Sequence, residues 1–313
     1  MFHRIAIFTL VLPLLAIGTA FAGFDEGRSA LENGDYATAL IELQPLADQG
    51  HPGAQGLLGQ MYLIGMGTAQ DEKRALDWFR KAAAQGEPIA QNNLGVMYQG
   101  GRGGLLQDDR QAAEWYRKAA EQGYAPAQHN LANMYLDGRG LQQDDKQAVA
   151  WYRRAAEQGY ESAQHNLAFS YFNGRGVPQD DQQAVAWYRK AAAQGFAASQ
   201  NNLGVMYQSG RGGLPKDDKQ AAEGYRKAAE QGVADAQLNL GNLYLDGRGV
   251  PQDVVLAYFL FSVAAASGDK SAASNRTRVA QSLSPDQIEK ANELTKVWRP
   301  GTTLPTNSGV ANK

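Results

Sequence analysis

The 313-residue sequence contains no cysteine. That excludes disulfides, thiolate metal sites and thiol nucleophiles together. Histidine is scarce, at 4 residues, which leaves little material for metal chemistry. An excess of one charge is missing as well: 30 Lys and Arg stand against 32 Asp and Glu, for a formal net charge of −2. No block of like charge marks a nucleic-acid tail or a funnel for acidic substrates. The apolar run from Ile5 to Ile17 is short for a membrane span. Arg4 precedes it and Ala20-Phe21-Ala22 follows, so residues 1–22 read as a secretory signal cleaved before Gly23. An uncleaved anchor is the other reading of this segment. A lipoprotein anchor is ruled out, because no cysteine follows the run. The expected location is a bacterial periplasm or the outside medium, with no stable membrane insertion after cleavage.

What the sequence has is glycine, 35 residues of it at regular places. Gly50, Gly86, Gly123, Gly159, Gly195, Gly232 and Gly268 follow one another in steps of 36 or 37 residues. Both longer steps contain a Gly-Arg-Gly-Gly loop where the others read Gly-x-Gly. Internal repeats of this period indicate a solenoid. A larger duplication lies on top of the period. Residues 100–123, GGRGGLLQDDRQAAEWYRKAAEQG, return at 209–232 as SGRGGLPKDDKQAAEGYRKAAEQG.

Each unit reads as two helices. In the first, Ala90, Leu94, Met97 and Tyr98 fall on one face. Gly95 has no side chain on that helix and would let a neighbour approach closely. A glycine loop ends it. The second begins at an acidic pair such as Asp108-Asp109, which would cap free backbone N–H groups. Its apolar face is Ala112, Tyr116, Ala119 and Ala120, with Trp115 beside it. Neither helix can bury its stripe alone, but stacked units can.

The recurring pattern Ala-Gln-x-x-Leu-Gly-x-Met-Tyr, a Gly-x-Gly loop, Asp, then Ala-x-x-Trp-Tyr-x-Lys-Ala-Ala-x-Gln-Gly resembles the Sel1-like repeat, a relative of the tetratricopeptide repeat. The resemblance implies an all-α fold, a right-handed α/α superhelical solenoid of antiparallel helix pairs. It also implies an adaptor or scaffold role in protein assemblies. The expected layout is a signal at 1–22, a capping helix pair at 23–50, six repeats at 51–268, capping helices at 269–299 and a disordered tail at 300–313. Two departures stand out: Gly224 replaces Trp, and Ser170 replaces Met or Leu.

In such arrays, the resemblance implies, the first helices line the concave side. Turning about 100° per residue, the positions opposite the apolar face are two, six and nine after the Ala. They run Gly56, Gln60, Leu63; Asn92, Val96, Gln99; His129, Asn133, Leu136; His165, Phe169, Phe172; Asn201, Val205, Gln208; Leu238, Asn242, Leu245. This stripe carries no charge, and its apolar content suits an interaction surface. His129, Asn133, Leu136, His165, Phe169 and Phe172 are the predicted groove. The alternative is that Phe169 turns inward beside Ser170. Asn93, Asn130, Asn166, Asn202 and Asn239 form a ladder that would bond either an extended peptide or the neighbouring unit. Arg102, Arg139, Arg175, Arg211 and Arg248 form a second ladder, expected to pair with nearby Asp or cap carbonyls. An anionic-ligand rim is the other reading. Gly224 would leave a notch in the outer layer, read as a loosened joint or as a second site; Trp restored there would stabilise an empty notch.

Chemistry finds little support. His129 and His165 lack further ligands for a metal. The glycine loops join helix to helix, outside the context of a dinucleotide or phosphate loop. No cofactor is expected. The leading function is a non-catalytic scaffold binding another protein or peptide. A glycan-binding scaffold and a cell-wall or β-lactam-type hydrolase are the alternatives; relatives linked to the latter are cysteine-rich, unlike this chain. The uncharged stripe argues against nucleic acid.

Overall fold

A computed structural model describes residues 23–305, so the signal-like segment 1–22 and residues 306–313 lie outside the described residues. All regular structure among the described residues is α-helical. The chain divides into two compact units, meeting in sequence at Asp144 and Asp145. The first holds α1 (23–32), α2 (Tyr36–Asp48), α3 (Pro52–Ile64), α4 (Glu72–Ala84), α5 (Pro88–Gly100), α6 (Asp109–Glu121) and α7 (Ala125–Asp137). The second holds α8 (Asp145–Glu157), α9 (Glu161–Asn173), α10 (Asp181–Ala193), α11 (Ala197–Ser209), α12 (Asp218–Glu230), α13 (Ala234–Asp246), α14 (Val254–Ala266), α15 (Lys270–Ala280) and α16 (Pro285–Val297). Within each unit the repeat helices pack chiefly on their neighbours in sequence, which is solenoid packing of antiparallel pairs, while α16 packs on α14. No helix among the described residues is long and apolar enough to cross a membrane.

Local chemistry sets the helix ends. Asp71, Asp108, Asp180 and Asp217 each accept two backbone N–H bonds at the start of α4, α6, α10 and α12. Such caps contribute about 1 kcal/mol apiece. The second acid of each pair does something else. It takes a two-pronged bond from the loop arginine 30 residues on: Glu72 from Arg102 and Asp109 from Arg139 in the first unit, Asp181 from Arg211 and Asp218 from Arg248 in the second. Arg175 forms an ion pair with Asp145 at 3.0 Å over the same 30-residue reach. The Arg102 bond holds the Glu72 carboxyl below its usual range. These pairs are partly exposed, so each contributes no more than about 1 kcal/mol. They fix where the loop lies. The loop's second glycine shows how closely: a Cβ on Gly140, whose φ is +67°, would sit 2.1 Å from the Asp109 carbonyl oxygen.

The core between helices is built from alanine and one large ring per repeat. Tyr116, Tyr152, Tyr188 and Tyr225 are fully buried. Gly95 admits the Tyr116 ring, which lies 2.5 Å from where a Cβ would be. A buried amide relay joins successive helices. Gln122 donates to Gln91 (2.8 Å) and to the Gly86 carbonyl (3.0 Å), and Gln128 donates to the Ala120 carbonyl (3.1 Å). Gln194 with Gln164 and Gln231 with Gln200 repeat the amide pairing in the second unit. The relay stops at Gln237. The residue 30 positions on is Ser267 instead of Gln, and the Gln237 Oε1 is buried without a hydrogen-bond partner.

The second unit ends differently from its own interior. From Leu256 to Ala264, α14 is buried at every position, because α13, α15 and α16 all pack on it. Residues 300–305 correct the expectation of an unstructured stretch there. Gly301 N–H donates to the Glu230 carbonyl at 2.7 Å, Leu304 N–H reaches the Glu230 carboxylate at 3.2 Å, and the Leu304 side chain is buried. Two backbone donors and one apolar side chain hold this segment on the end of α12.

Candidate functional site

The predicted stripe is less open than a single helix suggests. Gly56, Leu63, Asn92 and Asn201 are buried, and His129, Asn133, Leu136, His165 and Phe172 are half-buried. A stripe opposite one helix's apolar face still meets the next first-helix alongside. Asn92 is the case in point: its Oδ1 accepts from Asn130 Nδ2 at 2.9 Å, one repeat on. Asn201 does the same for Asn239 at 3.3 Å. Asn202 donates to the Tyr188 hydroxyl at 3.2 Å. Asn130, Asn202 and Asn239 therefore bond to neighbouring repeats, the structural reading of the ladder. Asn166 is half-buried, and its carbonyl accepts the Ser170 hydroxyl at 2.9 Å. The Asn93 amide nitrogen is buried with no hydrogen-bond partner.

His165 is built into the fold. Its Nδ1 lies 2.9 Å from the Ser199 hydroxyl, and its ring packs on Phe196 and Tyr188 at 5.0 and 5.5 Å between centroids. Burial lowers its pKa to about 4, so the ring is neutral at pH 7. The expectation of an open, ligand-facing His165 is corrected: Phe196, from the loop before α11, covers it.

Phe169 is different. It is 48% exposed, while Ser170 beside it is buried, so the phenyl ring does not turn inward. Phe169 and Phe172 on α9, Tyr188 on α10, and Asn202 and Val205 on α11 line a cavity of about 110 Å³. The Arg211 guanidinium lies over the Phe172 ring at 4.3 Å while also gripping Asp181, which fixes one wall. Asn202 is held by Tyr188, and burial pushes that hydroxyl's pKa up to about 12, keeping it protonated. The result is a rigid, uncharged, mostly aromatic recess. It is smaller than the roughly 300–1,000 Å³ of small-molecule pockets. It is nearer the size of one side chain, since an apolar cavity of about 150 Å³ holds benzene. The structure thus brings His165, Phe169, Phe172 and Asn202 together in the second unit. His129, Asn133, Leu136, Asn93 and Asn130 belong to the first unit, and Asn239 lies one repeat farther along the second.

Tyr188 and Val205 were not singled out by the sequence: Val205 is one stripe residue among many, and Tyr188 stands at the position that Tyr116 holds on the apolar face of α6. The arginine ladder is committed to its acids. No group of acidic residues and histidines among the described residues could hold a metal ion.

Stacked helix pairs that bury one another's apolar stripes define an α-helical repeat protein. The Sel1 repeat family model matches residues 52–87, 88–124, 125–160, 161–196, 197–233 and 234–269, and the chain belongs to that family. It is similar to a Sel1 repeat protein from Oxalobacter formigenes, at 32% identity over 77% of this chain and 96% of that one, with a TM-score of 0.69. It is also similar to c5321, a protective antigen present in uropathogenic Escherichia coli strains, at 26% identity over 89% and 91% of the two chains and a TM-score of 0.34. Immunity protein PA5088 from Pseudomonas aeruginosa is similar at 18% identity over 80% and 85%, with a TM-score of 0.46. No curated protein matches the chain.

Proposed function

We propose that the protein is an exported, non-catalytic scaffold that binds another protein, and that the Phe169–Phe172–Tyr188 recess takes one apolar side chain of the bound segment. The recess carries the proposal: an exposed aromatic at the mouth of an uncharged, side-chain-sized cavity fits an anchor residue. Membership of a repeat family typical of protein-interaction scaffolds supports it. Export rests on the residues 1–22, where Arg4, the apolar run and Ala20-Phe21-Ala22 form a signal-like order. No cofactor is called for.

Peptides selected by display against the chain from Gly23 onward provide the test. The bound peptides are expected to share one large aliphatic or aromatic anchor. Phe169→Ala should weaken them about tenfold or more while leaving the melting temperature unchanged, because that ring is exposed. Unchanged affinity in this variant, or binding of glycans and no peptide on parallel arrays, would overturn the reading. Export is checked by fractionation of cells expressing the full chain.

A further inference from the structure

Four second-helices hold an indole at the same place. Trp78 and Trp115 in the first unit, and Trp151 and Trp187 in the second, are each half-buried. Each lies under the cation three residues on: Lys81 at 4.1 Å, Lys118 at 3.9 Å, Arg154 at 4.4 Å and Lys190 at 3.8 Å from the ring centre. In α12 the same position is Gly224, and the same cation is Lys227. Where the ring would lie there is a cavity of about 260 Å³, bordered by Arg189, Gln200, Leu203, Tyr207, Gln220 and Lys227. Its floor is backbone. A Cβ at Gly224 would come 2.8 Å from the Gln200 carbonyl oxygen and 3.4 Å from Gly204. The joint is therefore tight, not loosened, and the space lies beside it.

We propose that this cavity is a socket for an indole side chain presented by a partner protein. It opens at the repeat position where four sibling repeats carry tryptophan. Its chemistry matches too. Leu203, Ala192 and Ala193 offer apolar walls, and Lys227 is an exposed cation left without the ring that its four counterparts cover. A cation over a ring face favours the most electron-rich aromatic, which is indole. The rim is pinned, since Arg189 donates to the Tyr207 hydroxyl at 3.3 Å. The socket is separate from the Phe169 recess and does not depend on it.

The test uses N-acetyl-tryptophanamide as the probe, titrated into the isotope-labelled chain from Gly23 onward and followed by amide NMR. Saturable shifts are expected at Gly204, Gly224 and Lys227, with N-acetyl-leucinamide producing none there. Lys227→Met retains most of the stem, lies on the surface and should leave the fold intact; it is expected to weaken the probe about three- to fivefold. The proposal is overturned by shifts confined to Phe169 and Val205, by no saturable shift up to the probe's solubility, or by a Lys227→Met variant that binds as tightly as the parent.

Discussion

The helices α6 and α12 come from duplicated sequence, and they differ in one consequential place. Both start on an Asp that caps two N–H groups. Both bury a tyrosine whose hydroxyl donates to a glutamine of the preceding helix, Tyr116 to Gln99 at 2.8 Å and Tyr225 to Gln208 at 2.9 Å. Both close on a glutamine pair, Gln122 with Gln91 and Gln231 with Gln200. Against this shared frame Trp115 stands in one and Gly224 in the other. The polar frame is thus set independently of the outer ring. Losing the ring leaves a void beside a joint whose backbone has closed onto Gly224.

The most severe way to break the comparison is Trp115→Gly. It deletes a half-buried indole and adds a helix glycine, so a loss of about 3–4 kcal/mol is expected in urea unfolding. The unfolding midpoint should fall while the circular dichroism of the native state stays helical. His165 gives the next effect. Its place in the repeat is held by Asn92 and Asn201 in the duplicated copies, so His165→Asn carries their residue into an intervening repeat. In the parent, burial depresses the folded pKa to about 4 from an ordinary 6.5. The unfolded chain therefore binds the proton first as pH falls. Stability is full above about pH 6.5 and drops by up to about 3 kcal/mol as pH approaches 4. Unfolding of His165→Asn should lack this component across the same window.

Gly224→Trp sharpens the comparison in the other direction. The sequence alone suggests that restoring tryptophan stabilises the array. The 2.8 Å approach to the Gln200 carbonyl reverses that expectation, because a Cβ there meets backbone. A loss of about 1–3 kcal/mol is expected, read as a lower melting temperature. The smallest effect is a gain. Ser267→Gln gives the Gln237 Oε1 the partner that Gln122 gives Gln91, and should raise stability by about 1 kcal/mol. No change in hydrogen-exchange protection around Gln237 would count against the relay.

The local features of this fold were legible because they are decided within a few residues. Glycine loops, acidic starts and apolar stripes recur at a fixed period, and each signals its own helix end or face. The arginine clip was half legible: pairing with an acid was expected, but the acid lies 30 residues back in a pair that the sequence marks only as a helix cap. The site was only partly so. A helical wheel at Asn92 or His165 knows one helix and its own apolar face. It does not know that Asn130 arrives from the next repeat, or Phe196 from the loop before α11. Phe169 was found because it lies opposite the apolar face of its own helix, and the alternative that it turns inward fails because Ser170 itself takes the buried place. The glutamine relay went unread although pairs like Gln91 and Gln122 recur 30 or 31 residues apart, because an amide pair across two helices has no local signature.

The clip has a consequence for how this chain can grow. Repeats of 36 and 37 residues keep the same 30-residue reach from acid to arginine, because the extra glycine, Gly104 or Gly213, comes after the arginine. Length added downstream of that point leaves the fastening untouched; length added upstream breaks it. The first repeat carries Met66 where later ones carry the arginine, and α14 begins on Val254 where earlier ones carry the acid. The fastening thus works like a coupling between wagons, absent at the front and rear of the train. Copying a three-repeat block from the middle adds cars without disturbing either end.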